Sequence, residues 1–111
     1  MTISEYQNNA HTFADYKHGN GSIDNAYPIL GLAEEAGEVC GKFGKAIRDN
    51  HAVIEGERRN EIVKELGDVM WFVAELCTSL DVSLEEVMQK NIDKLTSRKE
   101  RGVIHGEGDN R

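Results

Sequence analysis

Glu61-Ile62-Val63-Lys64-Glu65-Leu66-Gly67-Asp68-Val69-Met70-Trp71-Phe72-Val73-Ala74-Glu75-Leu76-Cys77 holds no proline and no strict apolar–polar alternation. Its apolar residues Ile62, Leu66, Val69, Met70, Val73, Leu76 and Cys77 recur at three and four residues. That is the period of one helix face, not of a strand. The pattern predicts a helix over roughly residues 57–80. Trp71 and Phe72 lie off the main stripe, so this helix is apolar over most of its circumference. Such a helix must be covered on several sides. One small bundle does not do that, so the expected state is a homo-oligomer, with Trp71 in the subunit interface.

Upstream, residues 28–48 form a second predicted helix. Pro28 is placed at its start, where the first turn tolerates proline. Leu32, Ala36, Val39, Cys40, Phe43 and Ile47 make its apolar stripe. It also carries Gly31, Gly37, Gly41 and Gly44. Each interior glycine costs about 1 kcal/mol relative to alanine, so another helix or a ligand is expected close to this backbone. Thr2 and Glu5 read as a capping box that opens a first helix over roughly 2–17, followed by a loop at 18–22. Ser83 and Glu86 read as a second box, opening a helix over 84–100 with Leu84, Val87, Met88, Ile92 and Leu95 inward. The sequence therefore predicts an all-α, four-helix bundle-like fold. It divides into one domain, 1–101, and a glycine-rich tail, 102–111, read as a loop or mobile arm.

The chain has 111 residues, is 39% hydrophobic and 30% charged, and carries a net charge of −7. That charge disfavours a nucleic-acid partner. No apolar run is long enough to span a membrane, and the polar stretch Met1–Ala10 lacks the pattern of a signal peptide. Cys40 and Cys77 both fall on apolar faces, which predicts buried, reduced thiols in a cytoplasmic protein. The four histidines have no metal-ligand spacing, which argues against zinc.

The second predicted helix carries Glu34-Glu35-x-x-Glu38 and the third carries Glu65-x-x-Asp68. On a wheel of about 100° per residue, Glu35 and Glu38 fall about 100° to one side of the apolar stripe. Glu65 and Asp68 fall at a similar angle and to the same hand on their own helix. Antiparallel neighbours, favoured by the short connection, would bring the two pairs together. An acidic residue on a helix is ordinarily a solvated one, and Lys42 and Lys64 offer ordinary partners to Glu38 and Glu61. Two matched pairs crowded beside an apolar seam are different. Like charges that close demand protonation or a cation. The donors are all oxygen, which suits Mg²⁺ or Mn²⁺. Di-iron bundles use Glu-x-x-His, which is absent here.

The stretch Gly31-Leu32-Ala33-Glu34-Glu35-Ala36-Gly37-Glu38-Val39, followed by Lys64-Glu65-Leu66-Gly67-Asp68-Val69, resembles the EExxE…ExxD signature of MazG-like nucleotide pyrophosphohydrolases. The resemblance extends through Asn91-x-x-Lys94-Leu95-x-x-Arg98 to the closing Gly106-Glu107-Gly108-Asp109-Asn110-Arg111. It implies an all-α NTP pyrophosphatase fold, assembled as a homodimer or homotetramer. It implies hydrolysis of (d)NTP to (d)NMP and pyrophosphate with two or three Mg²⁺ ions, Mn²⁺ being a possible substitute. Glu34, Glu35, Glu38, Glu65 and Asp68 look like the metal ligands, with Glu34, Glu35 and Glu38 forming the catalytic group. Glu34 is either a further ligand or the group that orients and deprotonates the attacking water.

A triphosphate brings about four negative charges that bridging metals must neutralise before water attacks the α-phosphorus in line. Asn91, Lys94 and Arg98 lie on one stripe of the fourth helix and are the candidate phosphate or sugar contacts. Phe72, on the stripe of Glu61, Glu65 and Asp68, is a candidate for stacking on the base, with Glu61 as a further substrate contact. Two other readings compete. One is an enzyme restricted to dCTP or dUTP; the other is a non-catalytic helical interaction module with an acidic surface.

Overall fold

The computed structural model describes residues 1–16 and 22–111, and the side chains of the second helix from Ala26 onward. Four helices account for the regular structure of these residues: α1 Ile3–His11, α2 Ser22–Asp49, α3 Gly56–Ser79 and α4 Leu84–Glu100. The all-α expectation holds, and α3 and α4 fall within a residue of the boundaries that the periodicity gives.

The N-termini of α1 and α4 are set by hydrogen bonds of short side chains. The Thr2 hydroxyl accepts from the Glu5 amide at 3.1 Å, and the Glu5 carboxylate accepts from the Thr2 amide at 2.6 Å. That is a complete capping box. At α4 only half of the expected box forms. Ser83 accepts from the Glu86 amide at 3.0 Å, whereas the Glu86 carboxylate turns to Lys90 at 2.6 Å. α1 is shorter than expected, because at Thr12 the chain leaves the helix and its hydroxyl donates back to the Asn9 carbonyl. Phe13, just beyond the end of α1, is exposed. The predicted loop at 18–22 lies outside the described residues except for Ser22, the first residue of α2.

α2 and α3 form an antiparallel hairpin that is the centre of the structure. Partners step in opposite directions: Tyr27 and Gly31 meet Phe72, Lys42 meets Glu65 and Glu61, and the Lys42 carbonyl accepts from Arg58. The face that α2 turns to α3 carries Pro28, Gly31, Glu35, Lys42 and Ala46, with Pro28 and Ala46 buried from solvent. Two expectations are corrected here. Pro28 lies inside α2, not at its start. Its fixed φ and missing N–H cost an interior hydrogen bond, which its full burial in the hairpin offsets. The apolar stripe of α2 also faces largely outward, with Cys40, Phe43 and Ile47 exposed, Ile47 at 67%. Pro28, Gly31 and Ala46 on this face are small, so the helices approach there through their narrow sides. A Cβ added to Gly31 would lie 2.2 Å from two carbons of the Phe72 ring.

Among the described residues, α1 and α4 pack on α3 and on each other, not on α2. Ala10, Ala74, Cys77 and Leu84 form their shared core, with Ile3, Tyr6, Trp71, Val73 and Val82 against it. Trp71, assigned from sequence to a subunit interface, packs within the chain. Its indole N–H donates to the Ala10 carbonyl at 3.0 Å, which also accepts from the Phe13 amide at 3.1 Å at the end of α1. Gln7 ties the α3–α4 turn to α1, donating to Thr78 Oγ1 and the Val82 carbonyl and accepting from the Leu84 amide at 2.7 Å. Of the two cysteines, Cys77 is buried as expected and Cys40 is not. The radius of gyration is 17.1 Å, against about 13 Å for a compact chain of this length. Val87, Met88, Ile92 and Leu95 of α4 are exposed together with the outer row of α2. The tail is ordered as well. Arg111 donates to the carbonyls of Val103, Ile104 and Gly108 and so folds residues 103–111 around its guanidinium.

The Gly31–Phe72 contact gives a direct test. Gly31→Ala forces the ring of a buried phenylalanine to move, and it should destabilise the fold by about 1–3 kcal/mol in urea unfolding. Gly44→Ala, which meets nothing within 4 Å, should be neutral or stabilising by up to about 1 kcal/mol.

Candidate metal centre

The hairpin register carries the acidic residues with it. From Gly31, one helical turn along α2 reaches Glu35; from Phe72, one turn back along α3 reaches Asp68 and a further turn Glu65. The closest packing of the two helices therefore lies one turn from the place where their carboxylates meet. Carboxylate oxygens of Glu35, Glu65 and Asp68 all lie within 4.8 Å of one another. Glu35 and Glu65 are half-buried and Asp68 is exposed, so the group is anchored at the seam and opens to solvent.

Glu34 and Glu38 do not join this triplet. They line an adjoining cavity of about 210 Å³ with Gly37, Gly41, Lys42 and Lys45. Among the described residues, nothing beyond the helix's own backbone comes within 4 Å of a Cβ at Gly37 or Gly41, so bare backbone forms part of this groove. The expected set of five carboxylates is thus divided: three converge, and two stand beside them next to cations. The other four still act on Glu35. Burial, then the charges of Asp68, Glu65, Glu34 and Glu38, hold the Glu35 carboxyl above the ordinary carboxylate value. Burial and then Asp68 likewise raise the Tyr6 phenol of α1.

Lys42 plays a part that the sequence reading did not give it. It reaches across the hairpin to Glu65 at 3.2 Å and Glu61 at 4.0 Å, rather than along its own helix to Glu38. The hydrogen bond to Glu65 is the chief reason its ammonium is held above the usual lysine value. Glu61 is thereby placed at the end of the acidic row, against Lys42. Among the described residues, Lys42 is the cation ion-paired within this row, and Glu35 and Asp68 have no such partner. Three all-oxygen donors, short of positive charge and held by two helices, fit a hard divalent cation.

One to two turns further along both helices the site becomes aromatic. Tyr16 and Tyr27 stack at 5.1 Å, Tyr27 tilts on Phe72 at 5.8 Å, and Trp71 meets Phe72 edge-on at 4.9 Å. Phe13, Asp15, Tyr16, Tyr27 and Trp71 line a cavity of about 340 Å³. Phe72 itself is buried beneath Gly31, so protein covers its faces, and the exposed rings lining the cavity are Tyr27 and Phe13. Behind this wall lies a residue that pattern reading missed. Glu75 is fully buried, accepts from the Tyr16 hydroxyl at 2.6 Å and lies 3.2 Å from His11 Nδ1. A buried carboxylate must be paired; its partners fix the chain leaving α1. An acidic residue at a core position of an apolar helix is the signal that would have found it.

Asn91, Lys94 and Arg98 lie on α4, which does not pack on α2. Within one chain they are not brought onto Glu34, Glu35 or Glu38. Asn91 is exposed, and Lys94 and Arg98 both bond Asp109 of the tail.

The MazG nucleotide pyrophosphohydrolase domain matches residues 26–103, which span α2 from Ala26 onward, α3 and α4. The chain belongs to that family. It is 48% identical over 115 residues to the Gene 37 protein of Mycobacterium phage L5, covering 100% of both chains. It is 36% identical over 72 residues to the uncharacterized protein YvdC of Bacillus subtilis strain 168, covering 60% of this chain and 68% of that one. No solved structure matches it significantly. Among the described residues, no helix is long and apolar enough to cross a membrane.

The strain in the cluster is measurable. A carboxyl whose folded pKa lies above its unfolded value contributes stability at low pH and loses it as pH rises through the raised value. Glu35→Gln should therefore raise the melting temperature of the metal-free protein at about pH 7, and the gain should vanish below about pH 4, where carboxylates are protonated in both states. Calorimetric melts of the two proteins across that range check it.

Proposed function

We propose that this protein hydrolyses nucleoside triphosphates to nucleoside monophosphates and pyrophosphate with Mg²⁺. The observation that carries the reading is the convergence of Glu35, Glu65 and Asp68 within 4.8 Å at the α2–α3 seam, in a chain of the MazG family. Glu35, Glu65 and Asp68 hold the metal, with Glu38 and Glu34 completing the set from the adjoining groove. Bound there, two or three Mg²⁺ ions, or Mn²⁺ in their place, would neutralise the phosphates and lower the pKa of the attacking water.

The residues of the chain divide the remaining work. Glu34, beside the cluster, orients that water and takes its proton. Lys42 and Lys45, on the groove shared with Glu34 and Glu38, offset the charge of the departing pyrophosphate. The aromatic cavity lies within reach of a nucleotide held at the carboxylates. Eight residues of helix separate Tyr27 from Glu35, a rise of about 12 Å. The base stacks on Tyr27 there, with Phe72 and Trp71 as its backing. Asn91, Lys94 and Arg98 act on the phosphates from α4. Since α4 does not pack on α2, a second copy of the chain supplies them. The same homodimer covers the outer rows of α2 and α4, where Phe43, Ile47, Ile92 and Leu95 are exposed.

Product analysis across the four dNTPs and four NTPs with Mg²⁺ tests the reading. Pyrophosphate and monophosphate should appear in equal amounts, and single phosphate should not. Glu65→Gln and Asp68→Asn should bring turnover to background and remove calorimetric Mg²⁺ uptake while leaving the fold intact. Release of single phosphate, or turnover that survives both substitutions, rejects the assignment. Turnover confined to one pyrimidine triphosphate would narrow the substrate and leave the chemistry in place.

A further inference from the structure

Residues 102–111 take no part in the chemistry above, yet they are folded with care onto the end of α4. Arg111 gathers the carbonyls of Val103, Ile104 and Gly108, and Arg101 donates to the Arg111 carbonyl at 2.9 Å. Gly106 and Gly108 take positive φ of 125° and 83°, which lets the loop close and sets Asp109 over α4. One oxygen of Asp109, Oδ1, accepts from Lys94 Nζ at 3.0 Å and from Arg98 Nη2 at 3.0 Å. The Asp109 carbonyl accepts from the same Nη2 at 2.6 Å.

Arg98 is the unusual member. Its side chain is 7% exposed, while that of Asp109 is 79% exposed. A buried cation needs an anion, and here the anion comes from a carboxylate that is itself in water. The pairing is also incomplete. Arginine prefers a two-pronged grip on an oxyanion, but Nη2 alone makes the contacts, and Arg98 Nε is buried without a partner. A carboxylate using a single oxygen for two cations leaves donors to spare. A terminal phosphate has three oxygens, enough for Nη2, Nε and Lys94 Nζ together. Lys94, then Arg98, hold the Asp109 carboxyl below its ordinary value, so it is ionised at neutral pH.

We propose that Lys94 and Arg98 form a binding site for the terminal phosphate of a polyphosphate, and that Asp109 is its resident counter-anion, displaced when phosphate enters. The proposal rests on the reading of Lys94 and Arg98 as phosphate contacts and adds a competitor to them. The anchor at Arg111 is separate from Asp109, so the side chain swings out without unfolding the tail. The free protein keeps its buried guanidinium neutralised, and entry favours ligands that offer more charge and more oxygens than one carboxylate.

Titration calorimetry of the full chain with inorganic tripolyphosphate, in buffer free of divalent metal, tests this apart from catalysis. Asp109→Asn should bind about three- to fivefold more tightly than the parent, the scale of one exposed ion pair. Asp109→Glu should stay near the parent. Glu107→Gln removes the same charge from the same loop, away from the pair, and should change nothing. Lys94→Gln should weaken binding, and Glu65→Gln at the acidic cluster should not. Equal or weaker binding by Asp109→Asn overturns the proposal, as does an equal gain in Glu107→Gln. Tightening by Asp109→Asn in a protein that hydrolyses no nucleotide would keep this site and reject the enzymatic reading. Hydrolysis with no response at Asp109 would do the reverse.

Discussion

The contact between Gly31 and the Phe72 ring fixes everything downstream of it. Two helices can approach so closely only where one has no side chain, and a ring seated there leaves no freedom of register. With the register set, the positions of Glu35 against Asp68, and of Lys42 against Glu65 and Glu61, follow from helical rise alone. The acidic cluster is thus a consequence of core packing one turn away. The chemistry needs charges that repel one another, and the hydrophobic contact supplies the force that keeps them together. Glu75 extends the same logic to the far end. Its buried carboxylate gathers His11 and Tyr16 and holds the chain after α1 against α3.

Much of this was legible in the sequence. The apolar period over residues 62–77 gave α3 nearly to the residue, and Ser83 marked the start of α4, because local hydrogen bonds and one-sided burial leave a strong pattern. The matched offsets put Glu35 and Glu38 beside Glu65 and Asp68; Glu35 meets both, whereas Glu38 stands in the adjoining groove, because the α2 stripe used as the reference faces largely outward. The contact face of α2 was not legible. It is made of Pro28, Gly31 and Ala46, which have little hydrophobic bulk, so a pattern that weighs apolar volume points to the wrong side. Lys42 was read as an i,i+4 partner because only the hairpin brings Glu61 and Glu65 to it. The ordered tail was invisible for a similar reason. Its order comes from one arginine bonding carbonyls three to eight residues back, and carbonyls carry no signature in the sequence.

The divided carboxylate set has its own meaning. The two acidic motifs suggested a single set of up to five ligands, with Glu34 either a ligand or the base. The fold separates a triplet at the seam from a pair in a groove lined by Lys42, Lys45 and the open backbone of Gly37 and Gly41. A cation seated in the triplet would be held by two rigid helices. A group seated in the groove would face side chains of one helix, with room to exchange. Tight and loose holding beside each other suit a reaction in which some atoms must stay and others must leave.

The outer row of α2 has a further consequence. Phe43 and Ile47 lie in water along a helix whose inner face sets the register of the cluster. Apolar area left wet contributes nothing to the folding of an isolated chain; its free energy is released only on contact. In the proposed homodimer that contact comes from a second copy, so the stability of the hairpin that carries the carboxylates would rise with protein concentration. Abundance itself would then act as a setting on the site, with no ligand or modification required.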